Sequence, residues 1–355
     1  MRSSLMLPAA CATLALLCPA GAGAAGAGAQ PAAPQPVSAY PRPTEYPGEN
    51  SAQVAEYLAR ARAIAGSDLY GDFVHRCITD ARYRQRVNNL QFNGLLGPAR
   101  VFDQLYFVGQ NAVSAWALDT SQGIILFDAL NSAEEARDIL VPGLKAMGLD
   151  PARIRYVVIT HSHGDHYGGA DYLRATFGAR LVASAQDWAV MDAMRSSGKT
   201  VGPFAPPPAR NAHDMAVQDG DTLALGGTML HFAVTPGHTP GTLSTIFDVT
   251  DKGQRHVVAF FGGFGAPRDP AQRYVHIASM DRFAALAAAA GADAMIANHP
   301  VQDGAFEKME LLRYRRPGDP NPFVVGPDHI ARYLKLQVAC SRVGLARLGM
   351  APDKP

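Results

Sequence analysis

Residues 160–166 read Thr-His-Ser-His-Gly-Asp-His, directly after the short apolar run Tyr156-Val-Val-Ile-Thr160. A continuous apolar run of that length marks a strand buried on both faces. The histidines therefore emerge at a strand's C-terminal end, where α/β folds place ligand sites. His161 and His163 straddle a small Ser162 and can point the same way from an extended turn. Gly164 leaves the backbone free to curl around an ion, and Asp165 and His166 follow at the start of the next helix. Four potential ligands within six residues exceed what one tetrahedral zinc with an open position requires. Packing offers no reason for three His and an Asp on a single turn.

Two more histidines stand at comparable places. His238 lies in Thr235-Pro-Gly-His-Thr-Pro-Gly241, after an apolar strand, with Pro and Gly fixing the turn; His299 lies in Asn298-His-Pro300, after the run 294–297. Either alone would pass as an ordinary loop histidine. Together with the turn they make six ligands, which divide into two sets of three. Imidazole and carboxylate without thiolate suit zinc best, with iron or manganese as alternatives. His75, His213, His231, His256, His276 and His329 have no such partners and are read as structural.

The rest of the chain supplies a scaffold for such strand ends. Strands are predicted at 100–108, 113–119, 124–128, 156–160, 180–183, 222–225, 229–235, 242–249, 256–262 and 294–297 from β-branched and alternating patterns. Helices are predicted at 51–65 (opened by a Ser51 cap), 132–147, 168–177, 185–195, 284–290 and 327–348. Sheets with interleaved helices in both halves predict one α/β domain from about residue 100 to 355. Residues 30–99 read as a Pro- and Ala-rich linker followed by an N-terminal helical extension.

Residues 1–29 follow the charge–apolar–small order of a secretory signal peptide, with Ala22-Gly23-Ala24 and Ala27-Gly28-Ala29 as cleavage sites. A periplasmic or secreted location follows as an expectation; a lipoprotein reading at Cys18 is weakened by Leu17 before it. The apolar stretch is too short to predict a membrane span. The formal charge of +1 on 355 residues argues against nucleic acid as a partner and leaves a small-molecule substrate as the expectation. Removal of 1–29 takes away Arg2 and two of the four cysteines, leaving Cys77 and Cys340. In an oxidising compartment these two either pair with each other or stay as separate buried thiols. The oligomeric state is left open.

The HxHxDH turn, TPGHTPG, GARLVASAQDW (178–188), DGDTLALGGTML (219–230) and NPFVV (321–325) together resemble the metallo-β-lactamase superfamily, and within it the B3 subclass, from about Pro98 to Leu348. That resemblance implies an αβ/βα four-layer sandwich with two zinc ions in the groove between its sheets. His161, His163 and His238 would bind the first, and Asp165, His166 and His299 the second. It further implies an exported hydrolase that opens the β-lactam ring by attack of a zinc-bound hydroxide, with Asp165 orienting the nucleophile and accepting its proton. Lactones or other cyclic or activated esters and amides are the alternative substrates.

One departure stands out. Where B3 enzymes usually carry a serine pair, this chain reads Phe261-Gly-Gly-Phe-Gly-Ala-Pro267, and the serines would fall at Gly263 and Gly265. Gly263, Phe264 and Gly265 are then the expected substrate contacts, and hydroxyls restored at the glycines are expected to tighten binding of carboxylate-bearing β-lactams. The bridging Asp of the wider superfamily is absent there too, which counts against a glyoxalase-II-like thioesterase.

Overall fold

The computed structural model describes residues 36–40, 42–83, 94–198 and 204–353. The expected signal peptide at 1–29 and the start of the linker lie outside the described residues. Val37–Ala39 forms a single 3-10 turn in an N-terminal unit that ends at Pro41; Arg42–Pro355 is the second, compact unit.

Among the described residues, twelve strands build two sheets in the second unit. β1 (Ala99–Arg100), β2 (Leu105–Phe107), β3 (Trp116–Thr120), β4 (Gly123–Phe127), β5 (Ile154–Val158), β6 (Arg180–Ser184) and β7 (Met215–Val217) lie side by side in chain order. Pairing is antiparallel as far as β4 and parallel from β4 to β7. The second sheet runs β12 (Ala294–Ile296), β11 (Gln254–Phe260), β10 (Leu243–Asp251), β9 (Thr228–Val234) and β8 (Thr222–Leu225), antiparallel except at β11–β12. Side chains from both sheets, such as Phe127 against Phe247 and Phe260, fill the space between them. Helices Ala170–Phe177 and Ala185–Ser197 cover the outer face of the first sheet; Pro270–Ala289 and Pro327–Arg347 cover the second. Four layers, αβ/βα, are the result expected from the resemblance.

Local sequence explains most boundaries. The segment expected as one strand over 100–108 is two short strands, because the chain reverses at Val101–Gln104 so that Val101 N and Phe102 N both donate to Leu105 O. The helix expected over 132–147 starts on a Ser132 cap and passes through a π-helical stretch, Ala136–Leu140, just before Pro142. A proline there cannot donate to the i−4 carbonyl, and the π stretch absorbs the mismatch. The helix expected at 284–290 is Pro270–Ala289, begun by Asp269 as N-cap and Pro270 at the first position.

The helix Ser51–Ala65 is capped by the side chain of Asn50, which accepts from Gln53 N, and not by Ser51. Val54, Tyr57, Ala61 and Ala65 recur at helical spacing and bury one face in the same core as helix Pro327–Arg347. Cys77 and Cys340 are disulfide-bonded, fastening this region to the C-terminal helix across 263 residues of sequence. The boundary expected at residue 99 is thus not a structural one: from Arg42 the chain belongs to the body, because its apolar helix face completes the core. Among the described residues, no helix is long and apolar enough to cross a membrane.

Candidate metal centre

Three sheet ends deliver the six expected donors to one place. β5 leads into the His161–His166 turn, β9 into the loop of His238, and β12 into His299. Ties between the sheets fix these ends: Leu243 N donates to Thr160 O, Ser114 N to Asn298 O, and the Trp116 indole N–H to Ala297 O. Gly164, Gly168 and Gly169 let the turn pack closely, since a Cβ at Gly164 would overlap the Phe204 side chain and one at Gly168 would meet Asn131 O at 2.1 Å.

The donors form two sets. Atoms of His161, His163 and His238 lie within 4.8 Å of one another, and so do those of Asp165, His166 and His299. His161 Nε2 is 3.1 Å from both His163 Nδ1 and His238 Nε2. Asp165 Oδ2 is 3.3 Å from His166 Nε2 and 3.8 Å from His299 Nε2. Two ligands on a tetrahedral zinc with bonds of 2.0–2.2 Å stand about 3.3–3.5 Å apart, so both sets fit that ion. The sets adjoin, with the rings of His161 and His166 4.0 Å apart.

Hydrogen bonds on the far side of four of the five rings decide which nitrogen can serve. His161 Nδ1 donates to Gly262 O at 3.0 Å, His238 Nδ1 to Gly265 O at 2.7 Å, and His299 Nδ1 to Ala112 O at 2.6 Å. A carbonyl can only accept, so the proton sits on Nδ1 and the Nε2 lone pair faces the centre. His166 Nδ1 does the same toward Asp128 Oδ2 at 2.8 Å, and its buried Nε2 has no hydrogen-bond partner. An orphaned imidazole nitrogen beside a carboxylate is what a ligand set without its ion should contain.

Electrostatics agree. Burial holds His161 and His238 well below the ordinary imidazole range, and His163 down to about 4, so all three are neutral. Burial opposes charge on His166 too, but Asp165 and Asp128 outweigh it and raise that imidazole to about 10, a proton on Nε2 then standing where a cation would otherwise be held. For Asp165, burial opposes ionisation and the surrounding imidazoles overcome it, keeping the carboxyl far below its usual range. The same negative charge favours a metal cation at this spot. His161 and His166 are buried, whereas Asp165 and His299 keep about a fifth of their side chains exposed, so a small molecule can approach from that side.

Two carboxylates that sequence reasoning passed over hold the site together. Asp128 follows β4 with φ of 63°, a left-handed backbone that is strained for a non-glycine residue. It accepts from Thr160 N at 2.8 Å, Thr160 Oγ1 at 2.9 Å and His166 Nδ1. Asp187, in the first turn of helix Ala185–Ser197, accepts from Ser162 N at 2.9 Å, Thr239 Oγ1 at 2.7 Å and Gly241 N at 2.8 Å. It clamps the turn of His161 and His163 to the loop of His238. The only sequence signal for Asp128 was an acid closing an apolar strand; Asp187 lies in the stretch 178–188 but nothing there singles it out.

The expected substrate contacts fare differently. Phe264 is 3% exposed, with its ring 4.9 Å from that of Phe261 and edge-on to Tyr333, so it is a core residue and not a ligand contact. Gly263 and Gly265 lie against the His238 ring, leaving no room there for the hydroxyls considered above. A cavity of about 810 Å³ lined by Asp72, Val301, Asp303 and Lys308 includes none of the six donors.

Comparison with known proteins places this geometry. Residues 108–250 match the family model of the metallo-β-lactamase superfamily. A probable metallo-hydrolase of Burkholderia pseudomallei is 32% identical over 109 residues, and a hydroxyacylglutathione hydrolase of Acidiphilium cryptum is 32% identical over 104. These matches take in 31% and 29% of this chain, and the chain spans 35% of each relative's length. The subclass B3 metallo-β-lactamase of Bradyrhizobium japonicum superposes with a TM-score of 0.59 at 27% identity, over 69% of this chain and 92% of that one. The matched stretch carries five of the six donors on a shared two-sheet scaffold, and over residues 108–250 the chain is similar to the metallo-β-lactamase superfamily.

Proposed function

We propose that this hydrolase holds two zinc ions, one in each donor set, and opens the β-lactam ring. The observation that carries the reading is the composition of the donor sets: five imidazoles and one carboxylate, on a scaffold similar to that of a B3 enzyme over most of its length. Bound zinc would supply Lewis-acid polarisation of a carbonyl and a water nucleophile active at neutral pH. Asp165 faces His166 and His299 through Oδ2, and its carboxylate is the group assigned to orient the nucleophile and take its proton. Asp128 holds the His166 ring and Asp187 holds together the loops that carry His161, His163 and His238, so little reorganisation would accompany the reaction. The Cys77–Cys340 bridge supports an oxidising, periplasmic or secreted setting.

A second reading is the same chemistry on lactones or other activated esters, including thioesters. It is favoured by the glycine turn, which offers no side chain to a substrate carboxylate, and by the hydroxyacylglutathione hydrolase among the relatives. Purified, zinc-loaded protein assayed against a carbapenem, an acyl-homoserine lactone and a hydroxyacyl-glutathione thioester separates the two. Carbapenem opening as the fastest of the three is expected. Carbapenem loss no faster than in buffer, beside rapid lactone or thioester cleavage, would replace the first reading with the second.

A further inference from the structure

The turn Gly262–Gly265 bears one side chain, Phe264, and that points into the core, yet its backbone touches the first donor set repeatedly. Gly262 O accepts from His161 Nδ1 and, at 2.7 Å, from Asn298 Nδ2; Gly265 O accepts from His238 Nδ1. Between them, Gly263 O accepts from Nε2 of His276 at 2.8 Å. We propose that this turn is a clasp that positions His161 and His238 for the first metal, that His276 locks it from behind, and that residues 263 and 265 are glycine because the His238 ring rests on them. The inference builds on the metal-binding reading above and adds a positioning role for residues outside the six donors.

Backbone conformation does not account for the glycines. None of Gly262, Gly263 and Gly265 has a positive φ, so each could hold an L side chain without backbone strain. Contact does account for them. A Cβ on Gly263 would lie 2.8 Å from His238 Cδ2, and one on Gly265 would lie 2.7 Å from Cε1 and 2.9 Å from Nδ1. The ring cannot swing away without breaking its bond to Gly265 O, so a side chain at either position must move the imidazole.

His276 is placed to hold both halves of the arrangement. It is fully buried on helix Pro270–Ala289, and a Cβ on Gly237, next to His238, would come 2.4 Å from the His276 Cβ. One turn along that helix, Ser279 Oγ donates to Pro236 O at 2.7 Å. The same helix therefore fixes the loop that carries His238 and the turn that orients its ring.

Groups that orient metal-binding histidines change metal affinity by about 10–100-fold when lost. The test is zinc affinity measured by chelator competition, with cobalt-substituted absorption spectra, on wild type, Gly265→Ala, Gly263→Ala, His276→Phe and His276→Gln. The clasp requires that Gly265→Ala and His276→Phe each weaken one of the two ions about 10–100-fold and alter its cobalt bands, leaving the other ion as in wild type. His276→Gln, which keeps an N–H donor, should recover most of the loss. Both ions bound as in wild type, or both weakened equally, would overturn it. Fewer than two zinc ions on the wild type would instead defeat the metal-binding reading. A readout independent of folding of the variants is ring-nitrogen NMR of the metal-free wild type: His161 and His238 must carry their protons on Nδ1, and protons on Nε2 would overturn the clasp.

Discussion

Asp187→Asn keeps the size of a side chain that accepts three hydrogen bonds while removing part of its capacity to accept. Oδ1 takes Gly241 N, and Oδ2 takes Ser162 N and Thr239 Oγ1. The Thr239 hydroxyl can turn and accept from an amide, but a backbone N–H cannot. Whichever way the new amide faces, its NH2 opposes one buried N–H, stranding it at a cost of about 1–3 kcal/mol. Set against a typical total of roughly 5–15 kcal/mol, that is a large fraction of stability. Because Asp187 joins the two loops that share the first donor set, the variant should also bind one zinc about tenfold more weakly. Linkage turns that into about 1.4 kcal/mol of additional loss in the zinc-saturated protein. Urea denaturation of metal-free and zinc-saturated forms measures both quantities. A metal-free loss under about 0.5 kcal/mol would place the change among ordinary surface substitutions and refute the satisfaction argument. Equal losses in the two forms would refute the coupling to metal.

Two further outcomes follow from other parts of the fold. Cys340→Ser releases a loop closed across 263 residues, for which chain entropy gives a ceiling of about 5–6 kcal/mol and measured bridges typically about 2–5; an unchanged urea midpoint under non-reducing conditions would contradict it. Burial pushes the Asp303 carboxyl up to about 7 against the pull of Lys308 and of the Ala297 and Ala305 N–H groups. Its folded pKa is above the unfolded value of about 3.9, so the folded state favours the protonated form. Stability from that proton is full below pH ~4 and is lost as pH rises through 7. Wild type should thus lose stability relative to Asp303→Asn over that window, and a pH-independent difference between the two would exclude the assignment.

The sequence was most legible where chemistry and local pattern coincide. Six donors at three strand ends could be read because histidines at i and i+2 after a buried strand have no packing role. Helix Ser51–Ala65 was read to the residue from its apolar spacing. Helix Pro270–Ala289 was read as barely a third of its length, although Asp269-Pro270 is a start signal, because its first turns carry few apolar residues in register. β7 is three residues long and gave no periodicity to read. Asp128, Asp187 and His276 act through contacts between segments far apart in sequence, and no local pattern marks such residues. The glycines at 263 and 265 were visible only as absences of serine. Their meaning depended on where the His238 ring lies, which is a property of packing.

The central claim is that two neighbouring cations are held by these six side chains. Anomalous scattering at the zinc absorption edge, from crystals of zinc-loaded protein, tests it directly. Two peaks are predicted, one bounded by His161, His163 and His238 and the other by Asp165, His166 and His299. A single peak, or zinc bound only away from these residues, would contradict the account.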